Sequence, residues 1–245
     1  MLLFPSTAGA QARGPAPAAQ PSGWRTTISV NAGTQPTSTT ESQNFVVQKN
    51  LENAPIATAL GLGRANFFDA GVAVKPERHR YGANVSVSSA SRRFGGDVNA
   101  QIPHPFFFNM PRPVSGTVSN LLDAEIGVHI DATYQLLTSP RLDLTASLGP
   151  SVLRVAQDLV TDVTYSESYP YDTATFVSAP TGRTSGTALG FNVGTDLTWK
   201  VSRRIGLGAL VRYAHGSVAL TPSAGNSVSA TAGGLQLGGG VRFLY

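Results

Sequence analysis

From Leu235 to the terminal Tyr245 the chain alternates residue by residue. Leu235, Leu237, Gly239, Val241, Phe243 and Tyr245 fall on one side, and Gln236, Gly238, Gly240 and Arg242 on the other, with Leu244 the exception. Successive side chains of a strand point to opposite faces. This is therefore a strand with one apolar face, one polar or small face, and an aromatic at its end. A sheet built from such strands must cover its apolar face and must dispose of its unpaired edges.

The same period occurs in seven earlier segments. They are Trp24–Gly33, 65–74, Tyr81–Ser89, 124–136, 142–149, 189–199 and 205–213. The fourth is the most regular: Ala124, Ile126, Val128, Ile130, Ala132, Tyr134 and Leu136 alternate with Glu125, Gly127, His129, Asp131, Thr133 and Gln135. The polar faces collect Arg25, Asp69, Glu125, His129, Asp131, Asp143, Asp196, Arg212 and Arg242. Gly206, Gly208, Gly238 and Gly240 also fall there and would leave room for water.

The connections alternate in length. Those around 75–80, 138–141 and 200–204 are short, and those around 34–64, 90–121, 157–186 and 220–229 are long. An even number of strands returns both ends of the chain to the short-turn side. Trp24, Tyr81, Tyr134, Trp199, Phe243 and Tyr245 cluster at that side, as an interfacial aromatic girdle would.

Composition narrows the class. Charged residues are 13% of the chain, against about 25% in ordinary soluble domains, and there are 26 glycines. With no cysteine, disulfides and thiolate metal sites are excluded. No run approaches the ~20 apolar residues of a membrane helix. The net charge of +4 is scattered, and no nucleic-acid partner is expected. At the N-terminus, Ala10-Gln11-Ala12 has the small-x-small form of a signal-peptidase site. We read residues 1–12 as the end of a secretory signal, 13–22 as a flexible Pro/Ala-rich segment, and 23–245 as one domain.

Two eight-stranded architectures fit this alternation. A soluble barrel would turn the apolar face inward around a ligand. A membrane barrel would turn it outward to lipid. The secretory segment, the girdle and the terminal Tyr245 favour the second: an all-β, closed, antiparallel up-and-down barrel. The strand count, the loop asymmetry and the C-terminal LQLGGGVRFLY resemble the small eight-stranded outer-membrane barrels, the superfamily of the outer membrane protein A transmembrane domain.

That resemblance implies an integral protein of a Gram-negative-type outer membrane with both termini periplasmic. Lipid, lipopolysaccharide and, through the closing strand, the barrel assembly machinery are the implied partners. A monomer is expected, and no peptidoglycan-binding domain is expected after the barrel. The superfamily spans structural and surface-interaction proteins, narrow conduits and lipid-modifying enzymes. The first role is expected here, with a solute or ion conduit second and a lipid A-modifying hydrolase third.

The candidate catalytic pair is His215 with Ser217, which share one strand face and resemble the lipid A 3-O-deacylases. Val218 stands where those enzymes carry Asn, and no carboxylate follows Asp196 to orient the histidine. The expectation is a non-enzymatic protein without cofactor. His79, His104, His129 and His215 have no metal-ligand spacing, so no metal site is expected either.

Within the long connections, Phe106, Phe107 and Phe108 form an apolar run, and Tyr165, Tyr169, Tyr171 and Phe176 lie among acids. These are expected to form a structured cap that packs on the barrel or meets an unknown loop partner. Arg92, Arg93 and Arg112 are expected to be solvated, or to meet lipid phosphates. Inside the barrel, Arg212 is expected to pair with Asp131 or Asp69 as a charged plug.

Overall fold

A computed structural model describes residues 23–36, 38–220 and 228–245. The signal and flexible segments read at 1–22, and most of the fourth long connection, lie outside the described residues. The strands are β1 (Trp24–Gln35), β2 (Thr39–Lys49), β3 (Glu52–Leu62), β4 (Ala65–Pro76), β5 (Tyr81–Pro103) and β6 (Pro111–Thr138). They continue with β7 (Leu142–Val160), β8 (Thr164–Glu167), β9 (Ala174–Ser178), β10 (Thr181–Lys200), β11 (Ile205–Leu220) and β12 (Val228–Leu244).

Eight of these form a closed antiparallel ring in the order β1-β4-β5-β6-β7-β10-β11-β12 and back to β1. Closure runs through eight residue pairs, from Thr27 opposite Leu244 to Thr34 opposite Leu237. Thr26 and Tyr245 then exchange both backbone hydrogen bonds, at 3.0 and 2.9 Å. The last residue of the chain thus clamps the seam. Glycines let the strands approach there: a Cβ on Gly240 would lie 1.8 Å from the Val30 carbonyl oxygen.

The apolar faces point outward at the short-turn end. Val30, Val85, Val87, Ile130 and Leu148 are all half exposed or more. Along β6 this belt runs from Ile126 to Leu136, about 33 Å of strand and roughly 23 Å in height at a tilt near 45°.

Above the belt the strands continue while their polarity reverses. On β11 the outward positions run Ile205, Leu207, Val211, Tyr213 and then His215, Ser217. The inward positions run Gly206, Gly208, Arg212 and then Ala214, Val218, Leu220. On β5 the outward series Tyr81, Val85, Val87 gives way to Ser91, Arg93, Asp97, Asn99, while Phe94, Val98 and Ile102 turn inward.

This reversal corrects the strand limits read from the sequence. Segment 90–121, expected as a loop, is largely the upper halves of β5 and β6, and segment 157–186, also expected as a loop, holds the top of β7, the β8–β9 hairpin and the start of β10. The apolar side chains change faces there, and the outward alternation that marked the strands ends although the strand does not. On β6 a bulge adds to the effect. Phe94 opposes Leu121 but Gly96 opposes Val118, and Asn120 takes up the extra residue at φ 61°.

The upper half is closed by the segment expected as the first long loop, which is a hairpin. β3 pairs with β2 along its length and joins the sheet through β5, from Ile56 opposite Ala100 to Gly61 opposite Gly95. Leu60 and Leu62 of β3 pack with Phe94, Leu121, Leu153, Leu159, Val218 and Leu220 into a dry core inside the upper barrel. A second core joins Phe45, Ile56, Val98, Ile102, Val114 and Val160 farther out. The β8–β9 hairpin lies on it, with Phe176 seated over Gly116, where an added Cβ would lie 2.1 Å from the ring.

Ring closure through the last residues makes a direct prediction. Deleting Phe243–Tyr245 removes the Thr26–Tyr245 pair and leaves both seam strands with free edges. The shortened chain is expected to lose heat-modifiable migration on gels. Retention of the compact, boiling-sensitive band would contradict this.

Candidate functional site

The inward side chains occupy the bore in three tiers. At the short-turn end lies a cavity of about 120 Å³ that opens outward. Arg25, Lys75, Asp143 and Asp196 are among its walls, and Asp69, Ser86, Asp131 and Arg212 form its ceiling. Arg25 is exposed and lines the mouth of this cavity, at the end where it was expected. Asp143 meets Lys200 Nζ at 2.7 Å.

The middle tier is a continuous polar network. Arg212 Nη2 donates to Asp69 Oδ2 at 2.8 Å, Nη1 to Ser86 Oγ at 3.0 Å, and Nε to Gln236 Oε1 at 2.7 Å. Its guanidinium also lies over the Phe67 ring at 5.7 Å. Asn31 Nδ2 donates to the other oxygen of Asp69 at 3.0 Å, and Asn31 Oδ1 accepts from Arg242 Nη1 at 2.7 Å. Arg242 in turn pairs with Asp196, and Thr198 donates to that carboxylate at 3.0 Å. One chain of contacts therefore links two arginines and two aspartates.

Of the two partners expected for Arg212, the geometry selects Asp69. Asp131 is held by two amides instead, Asn84 Nδ2 at 2.9 Å and Asn192 Nδ2 at 2.8 Å. His129 sits between Ser88 and Ser151, its ring nitrogens 2.9 and 2.8 Å from their hydroxyls. Gly208, expected to leave room for water, gives its space to a side chain instead: an added Cβ would lie 2.3 Å from the Arg242 guanidinium carbon.

The upper tier corrects the reading of the loop arginines. Arg92 is buried, donating from Nε to Asp123 Oδ2 at 2.7 Å and pairing with Glu125 through Nη2. Glu125 also accepts from the Gly233 amide at 2.8 Å. Glu41 of β2 accepts from Gln157 Nε2 at 2.7 Å, and Gln43 donates to the Val160 carbonyl at 3.1 Å. These contacts tie the hairpin across the mouth. Arg112 is buried as well, 2.6 Å from Glu167 and donating to the Tyr171 and Pro103 carbonyls. Only Arg93 of the three is exposed.

Burial pushes the Glu41 carboxyl above the ordinary carboxylate range, against its hydrogen bond from Gln157. Burial raises Asp123 too, and the Arg92 charge only partly restores it.

The sequence missed Arg92 and Asp123, although the signal was present. Extending the inward series Ser86, Ser88, Ala90 by one step reaches Arg92, and extending His129, Gly127, Glu125 by one step reaches Asp123.

The girdle residues Trp24, Tyr81, Tyr134, Trp199, Phe243 and Tyr245 all face outward at the short-turn end, and Tyr81 pairs directly with Tyr134. His215 and Ser217 face outward from β11 at the top of the belt. The His215 ring stacks with Tyr213 at 6.4 Å, while Ser217 Oγ lies 3.0 Å from Ser229 Oγ. Among the described residues no hydrogen bond joins the pair, and no carboxylate pairs with the histidine.

No protein-family model and no curated protein sequence matches this chain. Solved structures do resemble it. The outer membrane protein OprG from Pseudomonas aeruginosa aligns over 90% of this chain and 95% of its own at 8% identity, with a TM-score of 0.48. The outer membrane protease OmpT from Escherichia coli aligns over 90% and 97% at 8% identity, TM-score 0.47. Ail, the attachment invasion locus protein of Yersinia pestis, aligns over 90% and 99% at 14% identity, TM-score 0.39. These are likenesses of shape between chains with little sequence in common, and the reading of function rests on the residues themselves.

Two predictions come from the network. Arg212→Ala leaves Asp69 buried without its counter-ion and should cost roughly 3–5 kcal/mol; urea unfolding in lipid vesicles measures it, and a loss below about 1 kcal/mol would contradict the pairing. The raised carboxyls of Glu41 and Asp123 bind protons more tightly folded than unfolded. Their burial penalty is therefore full above the raised folded value and is relieved as pH falls toward the ordinary range. Hydrogen-exchange protection of β2 and β3, corrected for intrinsic rates, should rise between pH 8 and about pH 5, and Glu41→Gln should flatten the rise. Falling protection over that interval would contradict it.

Proposed function

We propose that this protein is a monomeric bacterial outer-membrane β-barrel with a closed bore, whose function resides in the lobe it carries above the membrane. The observation behind this reading is the polarity reversal. Below Ile126 and Tyr213 the barrel is apolar outside and polar inside; above them it is polar outside, and its interior holds an apolar core beside the buried Arg92–Asp123–Glu125 cluster. No single aqueous setting accommodates both halves. A belt of roughly 23 Å matches the apolar band of about 25 Å in outer-membrane barrels.

Short turns and both ends of the chain on one side fit a periplasmic orientation for that side. Outward Arg93, Arg154 and Arg183 stand at or just above the belt, where lipopolysaccharide phosphates would lie. The closing strand is the segment offered to the barrel assembly machinery. The conduit reading is disfavoured because the cavity ends beneath Arg212 and the dry core fills the bore above. The hydrolase reading is disfavoured because the His215–Ser217 pair lacks a hydrogen bond and an orienting acid.

Spin labels test the membrane setting. Labels at Val128, Val193 and Leu207 should meet oxygen and be shielded from polar quenchers in bilayers, and labels at Thr117 and Ser185 should do the reverse. Val128→Arg should cost roughly 2–4 kcal/mol if that site lies near the midplane. Water-like accessibility at all three belt sites would defeat the reading. In planar bilayers both wild type and Arg212→Ala should give no large stable currents, because the upper core still closes the bore. Large open-channel currents from wild type would make it a conduit.

A further inference from the structure

The far tip of the lobe carries a feature that neither barrel closure nor bore filling explains. The β5–β6 turn exposes Phe106, Phe107 and Phe108 at 68%, 58% and 68%, followed by Met110 at 54%. The β2–β3 turn adds Leu51, and the β8–β9 turn adds Tyr169. Contiguous exposed aromatics of this kind are unfavourable in water and mark contact surfaces.

The patch is held from beneath. His104 is buried, and its Nδ1 accepts from the Phe106 and Phe107 amides at 3.1 and 3.2 Å. Glu52 accepts from the Asn109 amide at 3.0 Å, and Asn50 Nδ2 donates to the Pro103 carbonyl at 2.9 Å. Phe106 meets the Tyr171 ring edge at 5.4 Å. Among the described residues five non-glycine residues have positive φ, and four of them lie in these turns: Asn50 at 49°, Leu51 at 67°, Asn109 at 58° and Tyr171 at 72°. Such backbone costs free energy and persists only where surrounding contacts enforce it, which is common at binding sites. The rings are thus displayed by a preorganised base, which lowers the entropy lost on binding.

We infer that the tip is a docking surface for a basic, apolar-bearing protein segment, with Phe106, Phe107, Phe108 and Met110 as anchors and Glu52 and Asp172 as an acidic rim. The inference rests on the membrane reading above and names the partner class for its lobe. Charge selects the partner. The three tip segments hold Lys49 and Arg112 against Glu52, Asp162, Glu167 and Asp172. Both bases are engaged, Lys49 with Asp162 at 2.8 Å and Arg112 with Glu167. The Asp172 side chain is 73% exposed. The surplus presented around the rings is therefore negative.

Other occupants fit less well. From Ser89 at the belt to Ile102 is about 43 Å of strand, roughly 30 Å of height, so the rings cannot reach their own bilayer. A second copy docked tip to tip would oppose two acidic rims. An apposed anionic membrane would meet the same repulsion.

The test uses the full barrel in phosphatidylcholine nanodiscs. A phage library of random peptides is panned against it and counter-selected on the F106S/F107S/F108S variant, whose heat-modifiable migration should match wild type because the rings are exposed. Surviving peptides should combine Lys or Arg with large apolar residues and bind the triple variant about tenfold more weakly or worse. Asp172→Lys, which leaves the rings in place, should weaken them severalfold. The inference is overturned if no peptide survives counter-selection, if survivors are neutral or acidic, or if Asp172→Lys leaves binding unchanged. Phenylalanine-dependent co-sedimentation of the nanodiscs with added phosphatidylglycerol vesicles would also overturn it, making the tip a membrane contact. The spin-label result at the belt is independent of these variants, so failure of one reading is distinct from failure of the other.

Discussion

In the membrane setting proposed above, every backbone amide and carbonyl in the belt must find its partner within the protein, and for a sheet a closed ring of strands provides that. The closure is made by the ends of the chain. β12 pairs with β1, and the Thr26–Tyr245 exchange seals the seam at the last residue. The antiparallel order, the even strand number and the return of both described ends to one side follow from that closure. So does the narrowness of the bore: eight strands leave room only for side chains.

A narrow bore imposes its own condition. Charges inside it are acceptable only when paired and hydrogen-bonded. Arg212 meets that condition with three hydrogen bonds and Arg242 with Asp196 and Asn31, while amides rather than a cation satisfy Asp131. Small residues make this possible. Gly208 gives its side-chain volume to the Arg242 guanidinium, and the serines beside His129 give hydroxyls without bulk.

Above the belt the same strands belong to a different kind of protein. The dry core around Leu60, Leu153 and Leu220 resembles the interior of a soluble β-domain, and the β2–β3 hairpin covers it. This lobe is where backbone strain, exposed aromatics and unbalanced acids gather. A rigid barrel below and a packed core above hold those features in fixed positions far from the belt.

The sequence by itself determined the eight belt strands, their faces, the aromatic end and the inward charges of the belt, because period-2 alternation is a local property that each strand carries alone. It also determined that Arg212 needed an acid, since pairing is a general requirement of burial. It did not carry the upper half, where apolar residues of β5, β6, β7 and β11 change faces while the strands run on. Which acid meets Arg212, that Arg92 and Arg112 are buried, and that segment 39–62 is a hairpin over the mouth were decided by tertiary structure alone. Those outcomes depend on which strands face one another across the bore, and that is fixed by ring order and register, which couple residues more than a hundred positions apart, as Arg212 and Asp69 are.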